Sequence, residues 1–138
     1  MPMVIMMAGT GSDDDYLRRS FGPAVTSAGD ELVALPPSAD LIDDYRRTLD
    51  EAAAQASAAG RRFLVGGVSL GAVVALRWAL DRPRAGCAGV LAALPPWSGP
   101  AHRSVAAGSA LITADSIESD GLEATIETMS PASAHVAA

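Results

Sequence analysis

Five residues in the middle of the chain, Gly67-Val68-Ser69-Leu70-Gly71, have the types and spacing for nucleophilic chemistry. Glycine lacks a Cβ, so glycines two residues before and after a serine let the backbone turn sharply and let neighbouring chain pack closely. A strand before this turn and a helix after it would leave the Ser69 hydroxyl projecting from the turn. The free N–H groups and partial positive charge at the start of that helix would then stabilise an oxyanion formed beside the hydroxyl.

The residues on either side of this turn predict the required strand and helix. Residues 63–65 are apolar and favour a strand, while residues 72–80 are long enough for a helix and are closed by Pro83. A Gly-x-Ser-x-Gly segment between a strand and a helix resembles the nucleophile elbow of the α/β-hydrolase superfamily. This resemblance implies that Ser69 is a catalytic nucleophile. The alternative is a glycine-rich turn in which Ser69 only caps the helix.

Strand and helix patterns alternate along the first two thirds of the chain. Strands are predicted over residues 3–8, 31–35, 63–67 and 88–94, with helices beginning after residues 12, 38 and 69. This alternation is typical of an α/β fold with a parallel sheet, and the unbroken apolar run of residues 3–7 indicates a strand covered on both faces. We expect strand order 2-1-3-4, which places the loop Gly9-Thr10-Gly11 beside the Ser69 turn where the winding reverses.

The first two helices carry distinct signals. Ser12 is predicted to cap the first helix, and Gly22-Pro23 is predicted to end it. We expect three of its side chains to be buried: Tyr16, Leu17 and Phe21. The second helix has five residues at helical spacing for a buried stripe: Leu41, Tyr45, Leu49, Ala52 and Ala56. Asp43 lies one turn before Arg47 and is expected to pair with it.

The superfamily resemblance implies further site residues. Its members hold the oxyanion with two backbone N–H groups, one from the residue after the nucleophile and one from the loop after an early strand. Here these are Leu70 and Thr10, with Gly9 beside them. The histidine that often precedes the glycine of that loop is absent, because position 8 is alanine. The implied activity is hydrolysis of a carboxylic ester or a related small-molecule acyl substrate, with no metal and no cofactor.

The rest of the catalytic triad does not follow the superfamily pattern. Its members place an acid and then a histidine after later strands, whereas only His102 and His135 occur here. Asp115 or Asp120 followed by His135 has the right order but too little chain for the missing strands. Residues 1–97 therefore correspond to the α/β core, and residues 98–138 to a partial helical lid or a loosely folded tail. We expect a truncated hydrolase with little activity alone; the alternative is a non-catalytic remnant that folds or self-associates without turnover.

Composition excludes several classes of function. The chain has 138 residues, of which 49% are hydrophobic, enough for one domain with a core. Its net charge of −6 argues against a nucleic-acid partner. Every basic residue is arginine, which excludes a Schiff-base lysine and the lysine of a phosphate-binding P-loop. Gly9-Thr10-Gly11 does not complete a dinucleotide motif, because the position of the third glycine is Asp14.

Other features bear on location and assembly. Asp13, Asp14 and Asp15 are interpreted as helix-start acids rather than as a metal site. The single cysteine, Cys87, excludes an internal disulfide. No stretch is long enough to span a membrane and no signal peptide is recognised, so a soluble cytoplasmic protein is expected. Residues 90–94 would form an uncovered apolar sheet edge, which predicts self-association.

Overall fold

The computed structural model of the protein describes residues 3–83 and 85–134. It confirms an α/β fold with four parallel strands in the order β2-β1-β3-β4. The strands are β1 Met3–Met7, β2 Glu31–Leu35, β3 Phe63–Val68 and β4 Cys87–Ala93. The helices are α1 Asp14–Ser27, α2 Leu41–Ala58, α3 Leu70–Asp81, α4 Val105–Asp120 and α5 Leu122–Ala134, with a short 3-10 helix over Ala101–Arg103. The chain divides into two compact units, Met1–Pro96 and Trp97–Ala138.

Strand β1 lies at the centre of the first unit. It pairs in parallel with β2 and with β3, so that Met7 is level with Leu35 on one side and with Gly67 on the other. All four residues from Val4 to Met7 are at most 1% exposed. This confirms that the unbroken apolar run is covered on both faces, and it brings the end of β1 level with the end of β3.

Helices cover both faces of the sheet, and the winding reverses at β1. On one face Leu17 and Val25 of α1 pack with Val4 and Met6 of β1. On the opposite face α2 and α3 pack against Ile5 and Met7 through residues that include Tyr45 and Trp78. The loop after β1 leads to one layer and the turn after β3 leads to the other. These two connections therefore meet at the carboxyl edge of the sheet, which is where α/β sheets form a crevice.

Helix α1 differs from its prediction at both ends. Asp13, not Ser12, is the N-cap, because the Asp13 carboxylate accepts the Tyr16 N–H at 2.8 Å. The helix also continues through Pro23 to Ser27. Its buried line runs at four-residue spacing through Leu17 to Val25, so burial of Val25 holds the turn that contains the proline. Tyr16 lies off this line and is 40% exposed, so the prediction of its burial is wrong.

Helix α2 follows its prediction closely and is joined to α3. Four of the five stripe residues are buried, and Leu41 packs against the same core. The predicted Asp43–Arg47 pair is wrong, because Arg47 pairs with Asp44 instead. Farther along α2, the Asp50 carboxylate accepts hydrogen bonds from Trp78 Nε1 and Arg82 Nη2, both at 2.8 Å. Asp50 thereby connects α2 to the C-terminal end of α3.

The second unit is a helical hairpin. Ser104 caps α4 by accepting the Ala107 N–H at 3.1 Å, and Gly121 (φ 86°) separates α4 from α5. Helix α5 includes Pro131 and ends at Ala134. Thr125 is 5% exposed and donates to the Gly121 carbonyl oxygen at 2.9 Å. In both units, none of the described helices is long and apolar enough to cross a bilayer.

Candidate active site around Ser69

Ser69 occupies a backbone conformation that favours glycine. Its φ and ψ are 54° and −117°, which are the angles of the first central residue of a type II′ turn. A serine that caps a helix normally has extended backbone and accepts a hydrogen bond from the first turn. Ser69 has a positive φ and makes no side-chain capping bond to α3. The capping alternative therefore accounts for neither the backbone nor the hydroxyl.

Both glycines of the pentapeptide are required by close backbone approach. A Cβ on Gly71 would lie 2.8 Å from the Ala8 carbonyl oxygen and closer still to that of Met7. A Cβ on Gly67 would lie 2.8 Å from the Ala72 nitrogen and closer still to the Gly71 carbonyl group. Real Cβ atoms do not approach backbone so closely, so any side chain at either position would displace the turn. The backbone at Gly67 is thus in close contact with the start of α3, and the backbone at Gly71 is in close contact with the end of β1.

The loop after β1 meets this turn, as the expected strand order predicts. A Cβ on Gly9 would lie 3.0 Å from Ser69 Cβ and 3.6 Å from Ser69 Oγ. The absence of a side chain at Gly9 therefore leaves the space beside the hydroxyl open. The Gly9 N–H itself donates to Ser12 Oγ at 2.9 Å, so this amide is used within the loop. Ser12, predicted as a helix cap, instead closes the loop that carries Thr10.

Two backbone N–H groups are candidates for holding an oxyanion. One belongs to Leu70, the residue after Ser69, and the other to Thr10, in the loop after β1. Leu70 is the first residue of α3, where helix geometry gives the N–H no partner within the helix. Among the described residues, no acceptor is bonded to the Leu70 or the Thr10 amide. Thr10 lines a cavity of about 540 Å³ with Ser69, whereas Leu70 lines a separate depression of about 410 Å³ beside the start of α2. Thr10 and Ser69 thus share one cavity, and Leu70 does not line it.

Hydrogen bonds from distant residues hold the site in place. The Ser69 N–H donates to the Ala93 carbonyl oxygen at the end of β4, at 3.0 Å. The Tyr45 hydroxyl donates to the Ala8 carbonyl oxygen at 3.1 Å, immediately before Gly9. Tyr45 is 2% exposed, and this burial raises the pKa of its phenol because the phenolate would be desolvated. The sequence placed Tyr45 in the buried stripe of α2 without revealing its contact with the loop.

The described residues of the first unit include no histidine that could act as a general base for Ser69. The sequence has no histidine before His102. His102 is exposed in the 3-10 helix of the second unit, and Asp115 and Asp120 are exposed on α4. His135 lies outside the described residues. Within the part of the chain that the structure describes, no three histidine, cysteine or acidic side chains are grouped to hold a metal ion.

The second unit has a larger cavity of different character. It measures about 620 Å³ and lies between α4 and α5, with Val105, Ile112 and Met129 among its lining residues. Its hydroxyl side chains include Thr113 and Ser116, which donate to carbonyl groups of their own helix at 3.0 Å. These hydroxyls are bonded and lie in regular helix, in contrast to Ser69.

The first unit therefore brings the Ser69 hydroxyl and the Thr10 backbone to one crevice. Ser69 is partly exposed there, and among the described residues Asp13 is the one charged residue that lines the cavity. Such a site suits attack on a carbonyl carbon whose oxygen becomes negative. Comparison of the chain with protein family models, with curated proteins and with solved structures finds no match to any of them.

Proposed function

We propose that Ser69 is the nucleophile of an acyl-transfer site that hydrolyses carboxylic esters or related small acyl substrates. The observation that carries this proposal is the Ser69 backbone, with φ 54° and ψ −117°, combined with a hydroxyl that makes no capping bond. Such conformations cost about 1–3 kcal/mol and cluster at functional sites. The resemblance of residues 1–97 to the α/β core of the α/β-hydrolase superfamily belongs to the same proposal.

In this proposal Ser69 Oγ attacks the carbonyl carbon and forms the new C–O bond. The Thr10 and Leu70 N–H groups hold the oxyanion, after which the alkoxy or aryloxy leaving group departs with the bonding electron pair. Water then cleaves the acyl-serine and releases the carboxylic acid. Gly9 contributes by leaving space beside the hydroxyl rather than by donating its amide.

The missing step is removal of the proton from Ser69 Oγ. Serine is a poor nucleophile without a base, and loss of triad residues costs about a millionfold in turnover. An oxyanion hole and binding alone retain roughly a thousandfold to ten-thousandfold over water. Because no histidine lies in residues 3–83 and 85–96, we expect slow acylation that an added base such as imidazole accelerates.

Covalent capture tests this proposal directly. The protein is incubated with a fluorophosphonate or with 4-nitrophenyl acetate, with and without imidazole, and is then digested with trypsin. Cleavage after Arg62 and Arg77 gives a peptide of residues 63–77, in which Ser69 is the one hydroxyl-bearing residue. A mass increase on that peptide that rises with imidazole is the expected result. Ser69→Ala should abolish it, whereas Ser20→Ala, on the exposed side of α1, should leave it unchanged.

The same experiment distinguishes the alternative. Folded protein that gives no adduct on residues 63–77, even with imidazole present, would overturn the proposal and favour a non-catalytic role. Circular dichroism on the same samples establishes that the protein is folded. Adducts on other serines at equal rates would show that Ser69 has no special reactivity, which also contradicts the proposal.

A further inference from the structure

The cavity beside Ser69 carries one sign of charge. Asp13 and Tyr16 line it together with Thr10 and Ser69, and none of the described arginines does. The net charge of the chain is −6, so the protein as a whole adds no long-range positive field. An acyl substrate that enters the cavity therefore meets a carboxylate and an aromatic residue.

Asp13 differs from the two aspartates that follow it. Asp14 pairs with Arg18, and Asp15 pairs with Arg19 at 2.9 Å. Asp13 has no ion-pair partner in the described part of the chain, and it is the one of the three that lines the cavity. Its Oδ1 accepts the Tyr16 N–H at 2.8 Å, which leaves Oδ2 able to accept from a ligand or face a cation.

Tyr16 adds an aromatic surface to the same wall. It lies in the first turn of α1, three residues after Asp13, and is 40% exposed rather than packed in the core. Its phenol ring can attract a cation within about 6 Å of its centre, and quaternary ammonium groups are bound in this way. A carboxylate and an exposed aromatic ring together favour a cationic group and disfavour an anionic one.

We propose that the Ser69 site selects acyl substrates that carry an ammonium or quaternary ammonium group, with Asp13 and Tyr16 as the specificity-determining residues. This inference rests on the proposed function of Ser69. Asp13 and Tyr16 are exposed, and one charge contact plus one cation–π contact at exposed positions together change a rate by about tenfold. The preference falls as salt is raised, because the charges are screened over about 10 Å at 0.1 M ionic strength.

Three activated esters of similar length test the charge preference. The cationic ester is 4-nitrophenyl 4-(trimethylammonio)butanoate, its neutral isostere is 4-nitrophenyl 5,5-dimethylhexanoate, and the anionic one is 4-nitrophenyl hydrogen glutarate. The readout is the rate at which the peptide of residues 63–77 gains each acyl group, with imidazole constant and the Ser69→Ala value subtracted. We expect the cationic ester to acylate about tenfold faster than its isostere, and the anionic one more slowly still.

Matched variants separate a local effect from overall charge. Asp13→Asn removes the charge but keeps a good helix cap, and it should bring the cationic-to-neutral ratio close to one. Asp15→Asn removes the same charge from an exposed position of α1 outside the cavity, and it should keep the ratio. Tyr16→Leu should lower the cationic-to-neutral ratio by several-fold, because the ring that attracts the cation is lost.

The possible outcomes distinguish failure of this inference from failure of the proposed function of Ser69. If none of the three esters acylates Ser69, the proposed function fails and the inference falls with it. If the neutral ester reacts but the cationic ester reacts no faster, the proposed function stands and the inference is wrong. Equal effects of Asp13→Asn and Asp15→Asn would also overturn it, because they would assign the preference to net charge.

Discussion

Replacing Ser69 by glycine should stabilise the protein relative to replacing it by alanine. The comparison isolates the Cβ, because both variants remove the hydroxyl and that hydroxyl makes no capping bond in the folded chain. With φ 54° and ψ −117°, Ser69 has a conformation that glycine adopts freely and other residues adopt with strain. Alanine keeps the strained Cβ, whereas glycine removes it.

The expected size follows from two opposing terms. Relief of a sparsely populated conformation gives about 1–3 kcal/mol, and the greater freedom of glycine in the unfolded chain takes back about 0.5–1 kcal/mol. The free energy of unfolding of Ser69→Gly should therefore exceed that of Ser69→Ala by about 1 kcal/mol, near the middle of the roughly 0–2.5 kcal/mol that these two terms span. For a chain of this size each kcal/mol corresponds to roughly 4 °C in Tm.

Urea unfolding followed by tryptophan fluorescence provides the measurement. Trp78 is 1% exposed in the core of the first unit, and Trp97 is the other tryptophan of the sequence. A Trp97→Phe background makes the signal report the first unit alone. Ser20 in α1 gives a control of opposite sign, since glycine there should be about 1 kcal/mol less stable than alanine. If Ser69→Gly were no more stable than Ser69→Ala, position 69 would store no strain.

Three further substitutions test neighbouring parts of the argument. Gly71→Ala should prevent normal folding, because its Cβ would overlap the Met7 carbonyl oxygen; a native circular dichroism spectrum with unchanged Tm would contradict this. Tyr45→Phe should cost about 1 kcal/mol at pH 7. Because burial raises the phenol pKa, the stability that Tyr45 contributes is complete below about pH 10 and is lost above it. If the phenylalanine variant lost as much stability above pH 10 as the wild type, ionisation of Tyr45 would not be the cause of the loss. Leu91, 43% exposed on the edge strand β4, should promote self-association, so Leu91→Glu should lower the sedimentation-average mass; a wild-type monomer at high concentration would rule this out.

The sheet could be predicted because its signals are local and strong. Residues 3–7 form an unbroken apolar run, and β2 lies where glycine and prolines bound a short apolar segment. The ends of α1 could not be predicted in the same way. Ser12 and Asp13 are both good caps, and which one serves depends on the Gly9 amide that occupies Ser12 Oγ. Packing of Val25 against the sheet outweighs the proline two residues earlier.

The candidate site, like the fold, could be predicted from the sequence only in part. The glycines of the pentapeptide mark where backbone must approach backbone, so the place of the turn could be predicted from residue types alone. The Tyr45 contact to Ala8 joins residues 37 positions apart, and nothing in the local pattern of α2 indicates it. The pairing of Asp14 and Asp15 with arginines, which leaves Asp13 alone in the cavity, likewise depends on side-chain geometry.

The fold itself does not account for a serine at position 69. The Ser69 N–H donates to Ala93, and the Ser69 carbonyl oxygen accepts from Ala72 and Val73. These are backbone bonds that glycine would retain without strain. The side chain therefore costs free energy at a turn where, among the described residues, its hydroxyl caps nothing. Ser69 lines a cavity with Thr10, and the proposed nucleophilic role of its hydroxyl would explain why serine stands there. The stability of the position-69 variants and the acylation of residues 63–77 are thus two independent tests of why a serine stands at position 69.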